Sequence, residues 1–224
     1  MGTEIRPLKG IIFDCDGVLI DSKEANVAFY NLILHELQLG PISKEDEDYL
    51  HSQTIHNSIQ RIVPEKRVPE AWQVLSRLSF HSVVHLVRLQ SGLVELLKWL
   101  HQSGILCAVN TNRTNTMDLV LRHFGLEPYF SPVVTSSDVP RPKPHPESLQ
   151  LILKTWNCHK DHVVFIGDSE VDQQAAQASG VPFWAFQNPS LQADLHISDY
   201  ATLHQQFVQA LNHSSSCQIS CYRS

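Results

Sequence analysis

The stretch IIFDCDG at residues 11–17 decides the fold that we predict for this chain. It opens on three apolar residues, too few for a helix and without polar alternation, as is typical of a parallel strand covered on both faces. Asp14 follows at the carboxyl end of that strand, the edge at which open parallel sheets bind ligands. Gly17 allows a sharp turn, so that Asp16 can point back toward the same space. The stretch therefore predicts a buried strand that delivers two carboxylates to one edge of a sheet.

Four further apolar runs are similar to this first strand, and helical patterns lie between them. The runs are residues 105–109, 133–134, 163–166 and 181–186. Helical spacing of apolar residues, often closed by a glycine, predicts helices over residues 93–103, 114–124, 146–156 and 171–179. Strands that alternate with helices predict a doubly wound, Rossmann-like α/β fold around a parallel sheet.

From about residue 22 to residue 85 the alternation stops, and no strand-like run occurs. Apolar residues recur there at helical intervals, and prolines and a glycine divide the segment into about four helices. A helical block placed after the first strand of an α/β domain is typical of an inserted lid. We therefore predict an all-helical cap at residues 22–85 and an α/β core formed by residues 1–21 and 86–224.

The composition excludes several classes of protein. The 224 residues are 42% hydrophobic and 18% charged, with a net charge of −6, which excludes a disordered chain. No apolar run approaches the roughly 18 residues that cross a bilayer, and a signal-peptide pattern is absent from the sequence. Acidic residues outnumber basic ones, so the composition gives no sign of a basic surface for nucleic acid. The five cysteines are scattered and do not form a disulfide framework. We expect a cytoplasmic globular protein, a monomer or homodimer, that binds neither nucleic acid nor membrane.

A second acidic pair follows the predicted strand at residues 163–166. Asp168 lies at the tip of that strand, and Asp172 follows one helical turn later on the same face. Taken alone, Asp172 could instead be a helix N-terminal acid that complements the macrodipole. Both interpretations remain open at the level of sequence.

Two further polar positions predict contacts to an anion. Thr111 and Asn112 follow the predicted strand at residues 105–109, where a hydroxyl and backbone amides form an anion-binding cup. The alternative is a helix N-cap. Lys143 lies between two prolines that stiffen its loop, although a solvated loop lysine is the alternative there.

Together these positions indicate one shared site, because Asp14, Thr111 and Asp168 each follow a separate parallel strand. Four carboxylates, those of Asp14, Asp16, Asp168 and Asp172, and the ammonium of Lys143 leave a charge of −3 in one cleft. Such a site requires a divalent cation, and an all-oxygen ligand set favours Mg²⁺ over zinc.

The motifs DCDGVL at 14–19, Thr111-Asn112, Lys143 and GDS at 167–169 with Asp172 resemble those of the haloacid dehalogenase superfamily. They occur in the same order, and the resemblance spans about residues 9–182. The helical insert is similar to the small cap of the phosphoglycolate phosphatase and β-phosphoglucomutase branch. The resemblance implies a catalytic core that works beneath this cap.

The resemblance also implies roles for individual residues. Asp14 would be the nucleophile that forms an aspartyl-phosphate, and Asp16 would be the general acid and then the base. Thr111, Asn112 and Lys143 would hold the phosphoryl oxygens.

For the metal, the resemblance implies that Asp168 binds Mg²⁺ together with Asp14 and the backbone carbonyl of Asp16. Asp172 would support this set of ligands. A dehalogenase of the family lacks the acid at the position of Asp16, so its presence favours phosphoryl transfer.

We therefore predict a Mg²⁺-dependent phosphatase that hydrolyses a small phosphorylated metabolite. A sugar-phosphate mutase and a non-catalytic phosphate-binding protein on the same scaffold are the alternatives. The sequence leaves open the substrate and the roles of His51, His56 and the tail cysteines Cys217 and Cys221. At Asn110, where the family has an apolar residue, we expect a local polar contact.

Overall fold

A six-stranded parallel sheet forms the centre of the molecule, in a computed structural model that describes residues 8–114 and 116–220. The strand order is β5-β4-β1-β6-β7-β8. A separate ladder pairs β2 with β3. The strands are β1 Gly10–Phe13, β2 Ile20–Asp21, β3 Arg88–Leu89, β4 Leu106–Asn110, β5 Val133–Val134, β6 Val163–Gly167, β7 Phe183–Phe186 and β8 Leu195–Ile197.

Strand β1 occupies the middle of the sheet. Ile12 is in register with Ala108 of β4 on one side and with Phe165 of β6 on the other, both in parallel. The carboxyl ends of β1, β4 and β6 therefore lie side by side. This order explains why the polar residues that follow these three strands meet at one edge.

Helices cover both faces of the sheet and fill the segment between β2 and β3. They are α1 Lys23–Glu36, α2 Lys44–Ser52, α3 Ile55–Ile62, α4 Val68–Leu75, α5 Leu93–Gln102, α6 Met117–Phe124, α7 Glu147–Trp156, α8 Glu170–Ser179 and α9 Tyr200–Ser220. Short 3-10 helices connect some of them, at Phe80–Ser82 for example. Cys217 lies in α9, and Cys221 lies outside the described residues.

Two apolar clusters show that the sheet is doubly wound. Ile11 and Phe13 of β1 belong to one cluster, in which the ring of Phe13 lies 6.4 Å from the ring of Tyr200 in α9. Ile12 points the other way and shares the second cluster with Leu149 of α7. Because successive side chains of β1 are buried on opposite faces, its sequence is uniformly apolar, as is typical of a parallel strand covered on both sides. The predicted fold class is confirmed.

The helical insert is made of α1 to α4, which contact one another. Phe29 of α1 packs edge-to-face against Phe80, with ring centroids 5.4 Å apart, so the two ends of the insert are joined. At the base of the insert, Ile20 pairs with Leu89 in the antiparallel ladder of β2 and β3. The ladder lies where the chain leaves the predicted core and returns to it, and we retain residues 22–85 as the proposed cap.

Candidate active site

The polar residues predicted from the sequence assemble around the carboxyl ends of β1, β4 and β6. A cavity of about 1050 Å³ opens there between the sheet edge and the helical insert. Its lining includes five of the predicted residues, Asp14, Asp16, Thr111, Asn112 and Lys143. Asp168 and Asp172 join this group through their proximity to Asp14.

Three carboxylates form a tight cluster at the base of the site. Asp14, Asp168 and Asp172 each offer an oxygen, and these oxygens lie within 4.8 Å of one another. Burial and the repulsion of Asp172 raise the pKa of Asp14 to about 7, and the same two causes raise that of Asp168 to about 9. Buried carboxylates held this close are the ligand set that a hard divalent cation requires, so the residues present fit the predicted metal.

Lys143 is the cation at the centre of this cluster. Its Nζ donates to Oδ1 of Asp14 at 2.7 Å and to Oδ1 of Asp172 at 2.6 Å. Burial lowers the pKa of Lys143, but the two carboxylates outweigh it and raise that pKa overall, so the ammonium stays charged. The side-chain amide of Asn112 donates to the carbonyl of Lys143 at 3.2 Å, which ties the proline-rich loop to the end of β4. The alternative of a solvated lysine is wrong.

Asp172 combines the two interpretations that the sequence left open. It is the N3 residue of a capping box at the start of α8, in which the backbone N–H of Ser169 donates to Asp172 Oδ2 at 3.2 Å. Its other carboxylate oxygen accepts from Lys143. The helix terminus therefore fixes Asp172 in the orientation that the cluster needs.

Glycines allow the carboxylates to come together. Gly17 has a φ of +78°, and a Cβ there would overlap the carboxylate of Asp168. At Gly167, a Cβ would overlap the side chain of Asp172. The glycines in the two acidic motifs are thus required by close approach, and at Gly17 also by backbone conformation.

Asp16 points away from the three-carboxylate cluster. Its two carboxylate oxygens accept from Arg113, with Nε at 2.6 Å from Oδ2 and Nη2 at 2.5 Å from Oδ1. The hydroxyl of Ser22 and the amide of Asn26 also donate to Oδ1. The side chain of Asp16 therefore lies on the side of the cavity that faces α1.

Arg113 was not among the site residues predicted from the sequence. Its partner Asp16 lies 97 residues away, so no local pattern marks the pair. A signal was present, since Arg113 directly follows the predicted anion-binding pair Thr111-Asn112. Its positive charge changes the expected net charge of the site. When all four carboxylates are ionised, as metal binding requires, the ammonium and the guanidinium leave a net charge of −2, which one divalent cation neutralises.

Thr111 is buried at the end of β4, and its Oγ1 accepts from the backbone N–H of Arg113 at 3.1 Å. Helix α6 begins only at Met117, three residues later than predicted, because residues 111–113 form this hydroxyl-closed turn. The alternative of a helix N-cap at Thr111 is wrong. At Asn110 the expected polar contact is also wrong, since neither polar side-chain atom has a hydrogen-bond partner among the described residues.

Apolar and aromatic side chains of the insert form the opposite wall of the cavity. They are Phe29, Tyr30, Leu50, Ile55, Trp72, Leu75, Leu78 and Phe80. His56 also lines the cavity and stacks on Trp72, with ring centroids 5.9 Å apart. The insert therefore places a largely apolar wall opposite the polar edge of the sheet. The side chain of His51 lies outside the described part of the chain.

Comparison with known proteins identifies the class to which this fold and site belong. Residues 11–186 match the model of the haloacid dehalogenase-like hydrolase family. The match covers more than half of the chain, so the chain belongs to this family, as its motifs predicted. Within the described residues, no helix combines the length and apolar character needed to cross a membrane.

Two relatives and one solved structure are similar over most of their length. A pyrophosphatase PpaX of Bacillus pumilus is 29% identical over 171 residues, which are 76% of this chain and 79% of the relative. A phosphoglycolate phosphatase of Salmonella typhi is 28% identical over 205 residues, with 80% of this chain and 81% of the relative covered. A haloacid dehalogenase superfamily hydrolase from Geobacter sulfurreducens is 35% identical with a TM-score of 0.78, covering 91% of this chain and 99% of that one.

Proposed function

We propose that this protein is a Mg²⁺-dependent phosphatase that hydrolyses a small phosphorylated metabolite through an aspartyl-phosphate on Asp14. The observation that carries the proposal is the cluster of Asp14, Asp168 and Asp172, with the ammonium of Lys143 bonded to Asp14 and Asp172, at the edge where Thr111 follows β4. The relatives named as phosphatases support the same reaction class.

Asp14 is the nucleophile in this proposal. Its carboxylate oxygen attacks phosphorus, and the bond between phosphorus and the leaving-group oxygen breaks. Asp16, which must first leave its ion pair with Arg113 and take up a proton from water, gives that proton to the oxygen. In the second step a water attacks phosphorus, Asp16 takes the proton of that water, and inorganic phosphate leaves Asp14 as a free carboxylate. Dividing a very slow hydrolysis into two displacements lowers each barrier.

Thr111, Asn112 and Lys143 form the phosphoryl subsite of the proposed site. The hydroxyl of Thr111 and the ammonium of Lys143 hold the phosphoryl oxygens, and Asn112 fixes the Lys143 loop besides facing the cavity. Because the Lys143 ammonium is already held by Asp14, it also keeps the nucleophile oriented toward phosphorus.

The cation would be held by Asp14 and Asp168, with the backbone carbonyl of Asp16 as a further ligand and Asp172 in support. This assignment agrees with the side chain of Asp16 pointing toward Arg113 instead of the cluster. When bound, Mg²⁺ neutralises the carboxylates and stabilises charge on the transferring oxygens.

The proposal is tested by the hydrolysis of 4-nitrophenyl phosphate with Mg²⁺ and with EDTA. Asp14→Asn should reduce turnover roughly 10³-fold or more, since it removes the nucleophile. Asp118→Asn, at an exposed position of α6, is the matched control and should keep full activity. Full activity in Asp14→Asn would refute the mechanism. Discharge of the phosphoenzyme by a hexose phosphate in place of water would favour the mutase, and phosphate binding without turnover would favour the non-catalytic alternative.

A further inference from the structure

The ion pair between Arg113 and Asp16 is buried in the wall of the cavity. The Arg113 side chain is 8% exposed, and it reaches both sides of the site. Besides Asp16, its guanidinium donates to Asn26 of α1 at 3.2 Å and to Thr116 at 3.3 Å. The ring of Phe80 lies 4.8 Å below it. Arg113 thus lies between the phosphate side of the cavity and the helical insert.

In the proposed reaction Asp16 has to reach the leaving-group oxygen. Both of its carboxylate oxygens are engaged by Arg113, so Asp16 must release the guanidinium to do so. A buried guanidinium that loses its anion is strongly unfavourable, because arginine keeps its charge under all ordinary conditions. A replacement anion is therefore needed at Arg113 during the reaction.

The protein does not supply that anion from the cavity wall. Among the described residues that line the cavity, Asp14 and Asp16 are the only carboxylates, and Asp14 is engaged with Lys143. Lys143 is likewise the only other lysine or arginine in that lining, and it is held by Asp14 and Asp172. Arg113 is thus the cation that remains for the leaving-group side.

We propose that Arg113 binds a second anionic group on the leaving group of the substrate, in exchange for Asp16. The inference rests on the proposed phosphatase function and names its substrate class. The substrates are phosphate esters or anhydrides whose leaving group carries a carboxylate or a phosphate a few bonds from the bridging oxygen. The distance is short because the guanidinium of Arg113 already holds the carboxylate of Asp16, the group that has to reach the bridging oxygen. The planar fork of a guanidinium fits either anion in a bidentate manner.

Two probes of nearly equal size test this substrate class. Phosphoglycolate carries the second anion, and its neutral amide, 2-phosphoglycolamide, does not. The wild-type protein should show a kcat/KM about 10- to 100-fold higher for phosphoglycolate, the range of a charge-assisted hydrogen bond. The two compounds should also differ by the same factor in their inhibition constants when each competes with 4-nitrophenyl phosphate for hydrolysis.

Substitutions of Arg113 separate recognition from a merely structural role. Arg113→Gln should bring the ratio between the two probes close to one, and Arg113→Lys should keep an intermediate ratio because it retains the charge without the fork. Arg61→Gln is the matched control, since it breaks the exposed ion pair with Asp46 in the insert and should leave the ratio unchanged. A structural role would lower kcat/KM for both probes equally.

The outcomes distinguish this inference from the proposed function. If the wild-type protein hydrolyses or binds both probes equally while its activity depends on Asp14, the inference is wrong and the phosphatase proposal stands. An unchanged ratio in Arg113→Gln also contradicts the inference. If 4-nitrophenyl phosphate is not hydrolysed and Asp14→Asn changes nothing, the proposed function itself fails.

Discussion

The ammonium of Lys143 lies 2.7 Å from Oδ1 of Asp14, although 129 residues separate them in the chain. The same ammonium is 2.6 Å from Asp172, so one positive charge holds two buried carboxylates. These contacts join the loop before α7 to the end of β1 and to the first turn of α8. They determine how the candidate site responds to mutation, pH and metal.

Removal of Lys143 should damage both stability and activity. Lys143→Met leaves Asp14 and Asp172 without a cation, and breaking a buried pair in this way costs about 3–5 kcal/mol. Because protonation of the carboxylates relieves their repulsion, the loss in unfolding free energy should be larger at pH 8 than at pH 5. Urea unfolding at the two pH values measures it, with the exposed Lys98→Met as control. An equal loss at both pH values would contradict the assigned charge coupling.

The metal-free protein should become less stable as the pH rises. The pKa values of Asp14 and Asp168 are raised in the folded state, to about 7 and about 9, above the ordinary 3.8. The folded state therefore binds more protons than the unfolded state, so this contribution is complete below about pH 4, falls as the pH rises from there, and is gone above about pH 9. Thermal unfolding in EDTA should show a falling Tm over this range, and millimolar Mg²⁺ should reduce the fall.

Asp168→Asn separates stability from function at the same cluster. The substitution removes a carboxyl that must take up a proton when the chain folds at pH 8, because its folded-state pKa is about 9, so in EDTA it should raise Tm by roughly 2–4 °C for each kcal/mol of this cost removed. Phosphatase activity and the stabilisation by Mg²⁺ should both be lost. A variant that is less stable than the wild type in EDTA, yet still stabilised by Mg²⁺, would show that Asp168 is no ligand.

Gly17→Ala tests the close approach of the first acidic motif to Asp168. The added Cβ would overlap the Asp168 carboxylate and would impose a strained φ of +78°, so we expect a loss of about 1–3 kcal/mol or more. Gly40→Ala is the control, because no atom lies within 4 Å of its Cβ position. Chemical unfolding measures the unfolding free energy of the two variants. Equal values would contradict the close approach of Gly17 to Asp168.

The sequence predicted those parts of the molecule whose signals are local. Strand β1 and the acids that follow it were readable because burial on both faces makes the strand uniformly apolar and its end abruptly polar. The central position of β1 in the sheet could not be predicted from the sequence, since the pairing of distant strands leaves no local pattern. Strands β2, β3 and β8 were missed because each contains an exposed polar residue, Asp21, Arg88 or His196, and so is not a uniformly apolar run like the two-residue β5.

In the candidate site, too, the residues with a local sequence signal were predicted and a contact between distant parts of the chain was not. Asp14, Asp168 and Lys143 were found through motif spacing, and the structure brings them together. The pairing of Asp16 with Arg113 is a contact across 97 residues, and it depends on how the turn after β4 directs one side chain. Sequence patterns alone carry no information on that direction.

The central claim is that Asp14 becomes phosphorylated, and acid quenching during turnover tests it most directly. Peptide mass spectrometry of the quenched protein should find a phosphoryl group on the peptide that contains Asp14, formed with 4-nitrophenyl phosphate and Mg²⁺ and absent with EDTA. The Asp14→Asn variant should show neither the adduct nor turnover. Rapid turnover without any adduct on that peptide, undiminished in Asp14→Asn, would contradict the account.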